Sequence, residues 1–237
     1  IFGATDTQSN ILKYYYSIAG YSKLNIFLRY FLKKIYSLIE LTLRLIKVWY
    51  FFYNKNLLNR KKKYDIALLT YIDGSKRDGS DPYFGDLESI ISKNNPNLSI
   101  VYLSYIYPPF NQRIREINKN EDDKYISIFS FLRIIDYFWV LLHCIKSSIL
   151  KINKYVKYEK NIIYNMTLKD ILLQELPNGY LYNLLTYRAA LRIKSKKNIS
   201  KIIYPFENKA LEKCLLLGLD NEVSTIGYQH TSITPRH

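Results

Sequence analysis

Hydrophobic and polar positions follow two different rhythms along this chain, and the change falls near residue 64. From about Lys23 to Tyr53 the polar positions Arg29, Lys33, Ser37, Glu40, Arg44 and Lys47 recur three or four residues apart, with apolar side chains filling the intervals. That spacing predicts one long helix with a narrow basic stripe. Its charge-free stretches fall short of the about 18 residues a membrane-crossing helix needs. A helix of this design packs into the protein or lies in a membrane interface, and both readings stand. Arg60-Lys61-Lys62-Lys63 follows, as a lipid-phosphate contact or a solvated linker.

Beyond residue 64 the apolar runs shorten. Asp65 to Ile72 is a continuous run of strand length, as expected of a strand buried on both faces. After a polar loop, Asp73 to Ser80, Asp81-Pro82 offers an N-cap and a first-turn proline for a helix through about Ser92. Leu98 to Tyr107 is a second strand, ended by Pro108-Pro109, and Asn111 to Lys119 is a charged helix. The middle reads as helix from Ile126 to about Tyr158, in one piece or two. Thr167 and Asp170 have capping-box spacing, Pro177-Asn178-Gly179 interrupts, and Tyr180 to Lys197 is helical again.

Two strand-then-polar segments close the chain, Ile202 to Asn208 and Ser224 to His230, with a helical segment, Lys209 to Leu217, between them. This is the pattern of a βαβ unit, whose strands run parallel. Both polar ends then emerge on one sheet edge, the edge where ligands bind in open α/β sheets. Glu207 and His230 are therefore the leading candidates for chemistry. The whole reads as an α/β fold with a parallel sheet, a basic helical segment over residues 1–63 and the sheet domain over 64–237.

Composition narrows the class. A chain that is 48% hydrophobic and 16% aromatic is not disordered. Its net charge of +15 is unevenly placed: residues 1–63 hold 12 Lys/Arg against 2 Asp/Glu, the remainder 23 against 18. A basic first quarter suits an anionic partner, although richness in Lys, Asn, Ile and Tyr is also what an AT-rich genome produces. The charge sits in an apolar-faced helix without a nucleic-acid reader motif, so the expected partner is an anionic membrane surface, not nucleic acid. The chain starts at Ile1 and stops just beyond a predicted strand, which reads as a fragment of something longer. Cys144 and Cys214 sit in apolar helical contexts with no CxxC partner, as small buried hydrophobes suited to a reducing compartment. With His143, His230 and His237 scattered, they make no zinc site.

Each candidate also has a plainer reading. Glu207 is a ligand-binding or acid/base carboxylate, or a first-turn carboxylate held by the helix dipole. His230 can take a proton from a hydroxyl or contact a phosphate, or be satisfied by loop backbone; Gly227 within its strand suggests a close backbone approach. The Asp73–Ser80 loop lacks GxGxxG and the Walker pattern, and Asp73 and Asp78 are poorly spaced for calcium. Its glycines with Ser75, Lys76, Arg77 and Ser80 suit an anion or sugar, or form a flexible connection. No GxSxG elbow is present.

Tyr83-Phe84-Gly85-Asp86-Leu87, Tyr204-Pro205-Phe206-Glu207-Asn208-Lys209 with Glu212, and Gly227-Tyr228-Gln229-His230 together resemble a family of bacterial surface-carbohydrate biosynthesis proteins of the kind encoded with O-antigen genes. That family is similar to GT-B glycosyltransferases, and loosely to capsule polymerases and teichoic acid glycerophosphotransferases. The resemblance spans about Asp65 to His237. It implies two Rossmann-like domains, of which this chain is the N-terminal, acceptor-side half, the donor domain lying outside it. It further implies transfer from a nucleotide-sugar to a lipid-linked or polysaccharide acceptor, without bound metal or other cofactor, in the cytoplasm and peripherally at the inner face of the cell membrane. On this resemblance His230 acts as base or phosphate contact and Glu207 orients the acceptor. Asp73, Ser75, Arg77, Ser80, Tyr83, Gly85, Asn208 and Gln229 contact substrate. The capsule and teichoic enzymes tend to show His-Gly at the corresponding strand end, whereas Thr231-Ser232 follows His230 here. A reading from another class remains beside it: a non-catalytic Rossmann-like module that binds a sugar or polyprenyl phosphate within a biosynthetic complex.

Overall fold

The computed structural model describes residues 23–53, 63–72, 81, 83–106, 125–149, 176–207 and 209–229. The chain divides into two compact units, Ile1–Lys47 with Tyr137–Tyr182 and Val48–Asp136 with Asn183–His237. Helix α1, Lys23–Tyr53, matches its sequence pattern end to end. Ser37, Leu41, Leu45, Val48 and Phe52 recur at helical spacing as its buried stripe. A second apolar stripe, Phe31, Leu32, Ile35, Ile39, Leu43 and Ile46, is exposed. Among the described residues no helix is long and apolar enough to cross a membrane.

The second unit is built on a five-stranded sheet, all of whose pairings are parallel. Its strands are β1 (Tyr64–Ile72), β2 (Ile100–Ile106), β3 (Tyr125–Ser127), β4 (Ile199–Pro205) and β5 (Ser224–Tyr228), in the order β3-β2-β1-β4-β5. Helix α2 (Leu87–Asn94) joins β1 to β2, and α5 (Ala210–Leu219) joins β4 to β5; α3 (Ile134–Ile149) and α4 (Leu181–Lys196) lie between β3 and β4 in the chain. β1 is central because its run is apolar on both faces. Ile66 and Leu68 join Phe84, Tyr102 and Ile203 in a core cluster against which Leu87 and Ile91 of α2 pack. Neighbouring Ala67, Leu69 and Tyr71 are also buried, and the ring of Tyr71 packs on Tyr105 at 6.0 Å, which in turn meets Phe129 at 5.3 Å. The edge strand β5, by contrast, has no buried residue.

Three local expectations change. The helix expected to open at Asp81 begins at Leu87, because Gly85 takes a left-handed φ of +50° and its amide donates to the Asp81 carbonyl at 2.8 Å, closing a separate turn first. The start of the expected helix at Ile126 is instead the short strand β3, paired with Tyr102–Ser104, followed by a 3-10 turn, Ile128–Phe131. Three strand residues carry no readable periodicity, so only the ladder with β2 reveals them. The break at Pro177-Asn178-Gly179 is present, with Asn178 outside helical geometry. The helix expected over 111–119 and the Thr167–Asp170 capping box lie outside the described residues.

Helix α4 is tied to the start of α3 through Asp136, whose side chain is fully buried. Asp136 accepts from Arg192 Nε at 2.8 Å and Arg188 Nε at 2.8 Å, and from the Arg133 amide at 2.8 Å. Gly218 of α5 permits a close approach to α4: a Cβ there would stand 2.5 Å from Ala190 Cβ and 2.6 Å from the Tyr187 carbonyl.

Candidate functional site

The parallel pairing of β1 with β4 and of β4 with β5 brings their carboxyl ends to one edge, as the βαβ pattern requires. Connections from β1 turn to one side of the sheet order and those from β4 to the other, so the edge between β1 and β4 is the point where the order reverses. At such a point the two following loops diverge and leave a crevice.

On this edge the residues build a polar cluster. Tyr71, near the end of β1, donates its phenol to Glu212 Oε1 at 3.3 Å within buried surroundings. Glu212, in the first turn of α5 and only 2% exposed, also accepts the amides of Glu207 at 3.1 Å and Lys209 at 3.3 Å through Oε2. It thus satisfies donors that the start of α5 would otherwise leave open. The Lys209 ammonium stands 4.8 Å from the centre of the Tyr71 ring, a cation–π contact, and is ion-paired with the Glu207 carboxylate. Tyr83 packs edge-on against the same Tyr71 ring at 5.3 Å. Beside them Tyr204 is held above the usual phenol range, first by burial and then by the negative charge of Glu212.

The loop behind Tyr83 is anchored by Asp81, which is buried. Its carboxylate accepts the Thr70 hydroxyl at 2.6 Å through Oδ2 and the Tyr83 amide at 2.9 Å through Oδ1. An aspartate bonding the backbone two residues on is a turn-forming device, and here it fixes where Tyr83 leaves the sheet.

The structure therefore brings two of the sequence-derived candidates, Tyr83 and Glu207, onto one cluster through Tyr71. Gly85 lies in the turn beside it, and its role there is conformational: a Cβ would meet nothing within 4 Å, but φ is +50°. Gln229 is exposed, directly after β5. Asp73, Ser75, Arg77, Ser80, Asn208 and His230 lie outside the described residues. The first-turn reading of Glu207 is corrected: α5 starts at Ala210, and its first-turn acid is Glu212, leaving Glu207 in the connection ahead of the helix. The close approach at Gly227 also has an internal cause. A Cβ there would stand 3.3 Å from the Tyr204 hydroxyl and 3.4 Å from Phe206 Cβ, so the neighbouring strand supplies the crowding.

Glu212 and Asp81 were missed as site residues. Glu212 has a legible signal, a carboxylate at the third helical position after a strand end. Asp81 has none, since its partner Thr70 is an ordinary strand residue. Among the described residues no three or more His, Cys, Asp or Glu side chains gather as a metal site. His143, on α3, bonds the Trp139 carbonyl at 2.9 Å and stacks on the Trp139 ring, and Cys144 is buried with its thiol pushed up to about 12 by desolvation. No protein-family model, curated protein or solved structure matches this chain.

Proposed function

We propose that this chain is the acceptor-side, Rossmann-like half of a GT-B-like glycosyltransferase of surface-polysaccharide synthesis. The observation that carries the reading is the Tyr71–Glu212–Glu207–Lys209 cluster at the carboxyl ends of β1 and β4, where the order β3-β2-β1-β4-β5 reverses. That order is the one found in doubly wound nucleotide-binding sheets, whose ligands sit at this crevice. The chain leaves β5 at Gln229, one residue before His230.

In this reading a hydroxyl of a lipid-linked saccharide lies on the edge and attacks the anomeric carbon of a nucleotide-sugar. His230 removes the hydroxyl proton as the new glycosidic bond forms, and the nucleoside diphosphate leaves with the electron pair of the bond that breaks. Glu207 holds the acceptor hydroxyl, and Glu212 acts through it by fixing the Glu207 backbone. Lys209 sets its ammonium between the Glu207 carboxylate and the Tyr71 ring, beside the place given to the acceptor.

The self-contained pairing of Glu207 with Lys209 favours the second reading, a sugar- or polyprenyl-phosphate-binding module, because such an edge binds without needing a base. One experiment separates the two. Full-length protein and its His230→Ala variant are incubated with labelled nucleotide-sugar and lipid-linked acceptor, and product is counted. The transferase reading expects a loss of about 100-fold or more in turnover with folding intact. Equal transfer by the variant removes His230 from the mechanism, and saturable binding with no transfer by the intact protein assigns the module.

A further inference from the structure

We infer that the outer face of α1 docks on an anionic phospholipid surface, with the helix lying in the plane of the interface. The inference stands on α1 alone and does not depend on the reaction proposed above. At about 100° per residue, the exposed stripe from Phe31 to Ile46 falls within an arc of about 120°, and it runs for about 23 Å along the helix. Its six apolar side chains are between 42% and 56% exposed, and Tyr36 and Tyr50, at 69% and 64%, prolong the same arc. A helix whose only task is to cover a core needs one apolar stripe. That stripe already exists on α1, through Leu41 and Leu45, and the outer one is additional.

Charge identifies the occupant. The helix carries six Lys/Arg and one acid, Glu40, which is bonded to Arg44 at 2.6 Å one turn on. Helical register places Lys34 and Lys47 along opposite borders of the exposed arc. When an apolar face sinks about 5–10 Å into a bilayer, such a border lies at the headgroup phosphates. Two copies joined through this arc would instead set two strongly basic helices against each other, which like-charge repulsion opposes. Tyrosines at the margin are the side chains that favour the headgroup level. No described helix is long and apolar enough to cross a membrane, so the placement for α1 is along the surface.

The test is co-sedimentation of the full chain with vesicles of phosphatidylcholine alone and of phosphatidylcholine mixed with phosphatidylglycerol, at low and high salt. The wild type partitions onto the mixed vesicles at least about tenfold better than onto neutral ones, and salt weakens the binding. Ile39→Asp with Leu43→Asp, which leaves the buried stripe intact, lowers that partition about tenfold or more while the circular dichroism spectrum is unchanged. No vesicle binding, equal binding by the double variant, or equal partition onto neutral vesicles overturns the inference. A dimer seen by light scattering that the double variant dissolves, without vesicle binding, assigns the face to a second copy instead.

Discussion

Two buried carboxylates, Asp136 and Glu212, occupy equivalent places in the second unit and are held by opposite means. Each sits in the first turn of a helix and accepts the amide three residues before it, from Arg133 and Lys209 respectively. Their side chains are 0% and 2% exposed. Asp136 then receives two guanidiniums, from Arg188 and Arg192, and its charge is consumed in joining α3 to α4. Glu212 receives a phenol and a second amide, so dipoles hold it while its negative charge still acts on its surroundings, as the raised Tyr204 phenol records. Burial alone therefore does not mark a functional acid. The partner sets differ: paired guanidiniums make a structural tie at Asp136, whereas a phenol and amides leave the charge of Glu212 at the strand ends without a guanidinium among its described partners.

The largest expected effect is on the tie. Asp136→Ala leaves two guanidiniums without their carboxylate and costs about 3 kcal/mol of stability, read from the urea midpoint. Burial works to raise the Asp136 pKa, yet hydrogen bonds from Arg192, the Arg133 amide and Arg188, with the charge of Arg192, outweigh it and hold the carboxyl below the ordinary 3.8. A carboxyl lowered on folding stabilises above its unfolded pKa and loses that contribution as pH falls through the folded value. The difference between wild type and Asp136→Ala is thus constant near neutrality and narrows below pH 3.8. A difference that persists at full size in acid would show that packing, not charge, holds the joint.

Glu212→Gln is smaller, at about 1–2 kcal/mol, because the amide oxygen still serves part of the donor set. Its signature is spectroscopic: the Tyr204 phenol loses a negative neighbour and titrates at lower pH, which an ultraviolet phenolate titration reads. An unmoved Tyr204 would equate Glu212 with the tie and erase the contrast. Smallest is Thr70→Val, about 1 kcal/mol, since Asp81 keeps its amide donors. The measurement that sharpens the comparison there is amide exchange at Tyr83 and Phe84, expected to quicken while exchange at Arg133 stays as it was.

Much of the frame was legible in local pattern. Residues 66–72 are apolar on both faces, so a central strand followed, and the segments around Ile202 and Ser224 announced two parallel strands with a helix between. The long helix was legible to its ends because its polar positions repeat over many turns. Less of the candidate site was legible. Glu207 carried two readings, a ligand-edge carboxylate and a helix-start acid, since strand-polar-helix spacing cannot say which of two nearby carboxylates the helix uses. The turn at Gly85 and the strand Tyr125–Ser127 depend on a left-handed backbone and on a neighbour's ladder, neither of which has a period.

By itself, then, the sequence determined the α/β class, the parallel closing pair of strands, the long basic helix and the edge on which Glu207 stands. These follow from nearest-neighbour chemistry: side-chain period, turn residues and the chirality of connections. Only the tertiary structure decided that Glu212 rather than Glu207 caps α5, that Tyr71 links β1 to β4 through it, that two arginines close on Asp136, and that α1 has one apolar stripe buried and another exposed. Each of these joins residues far apart in the chain or depends on what covers a face, and local pattern carries no information about either.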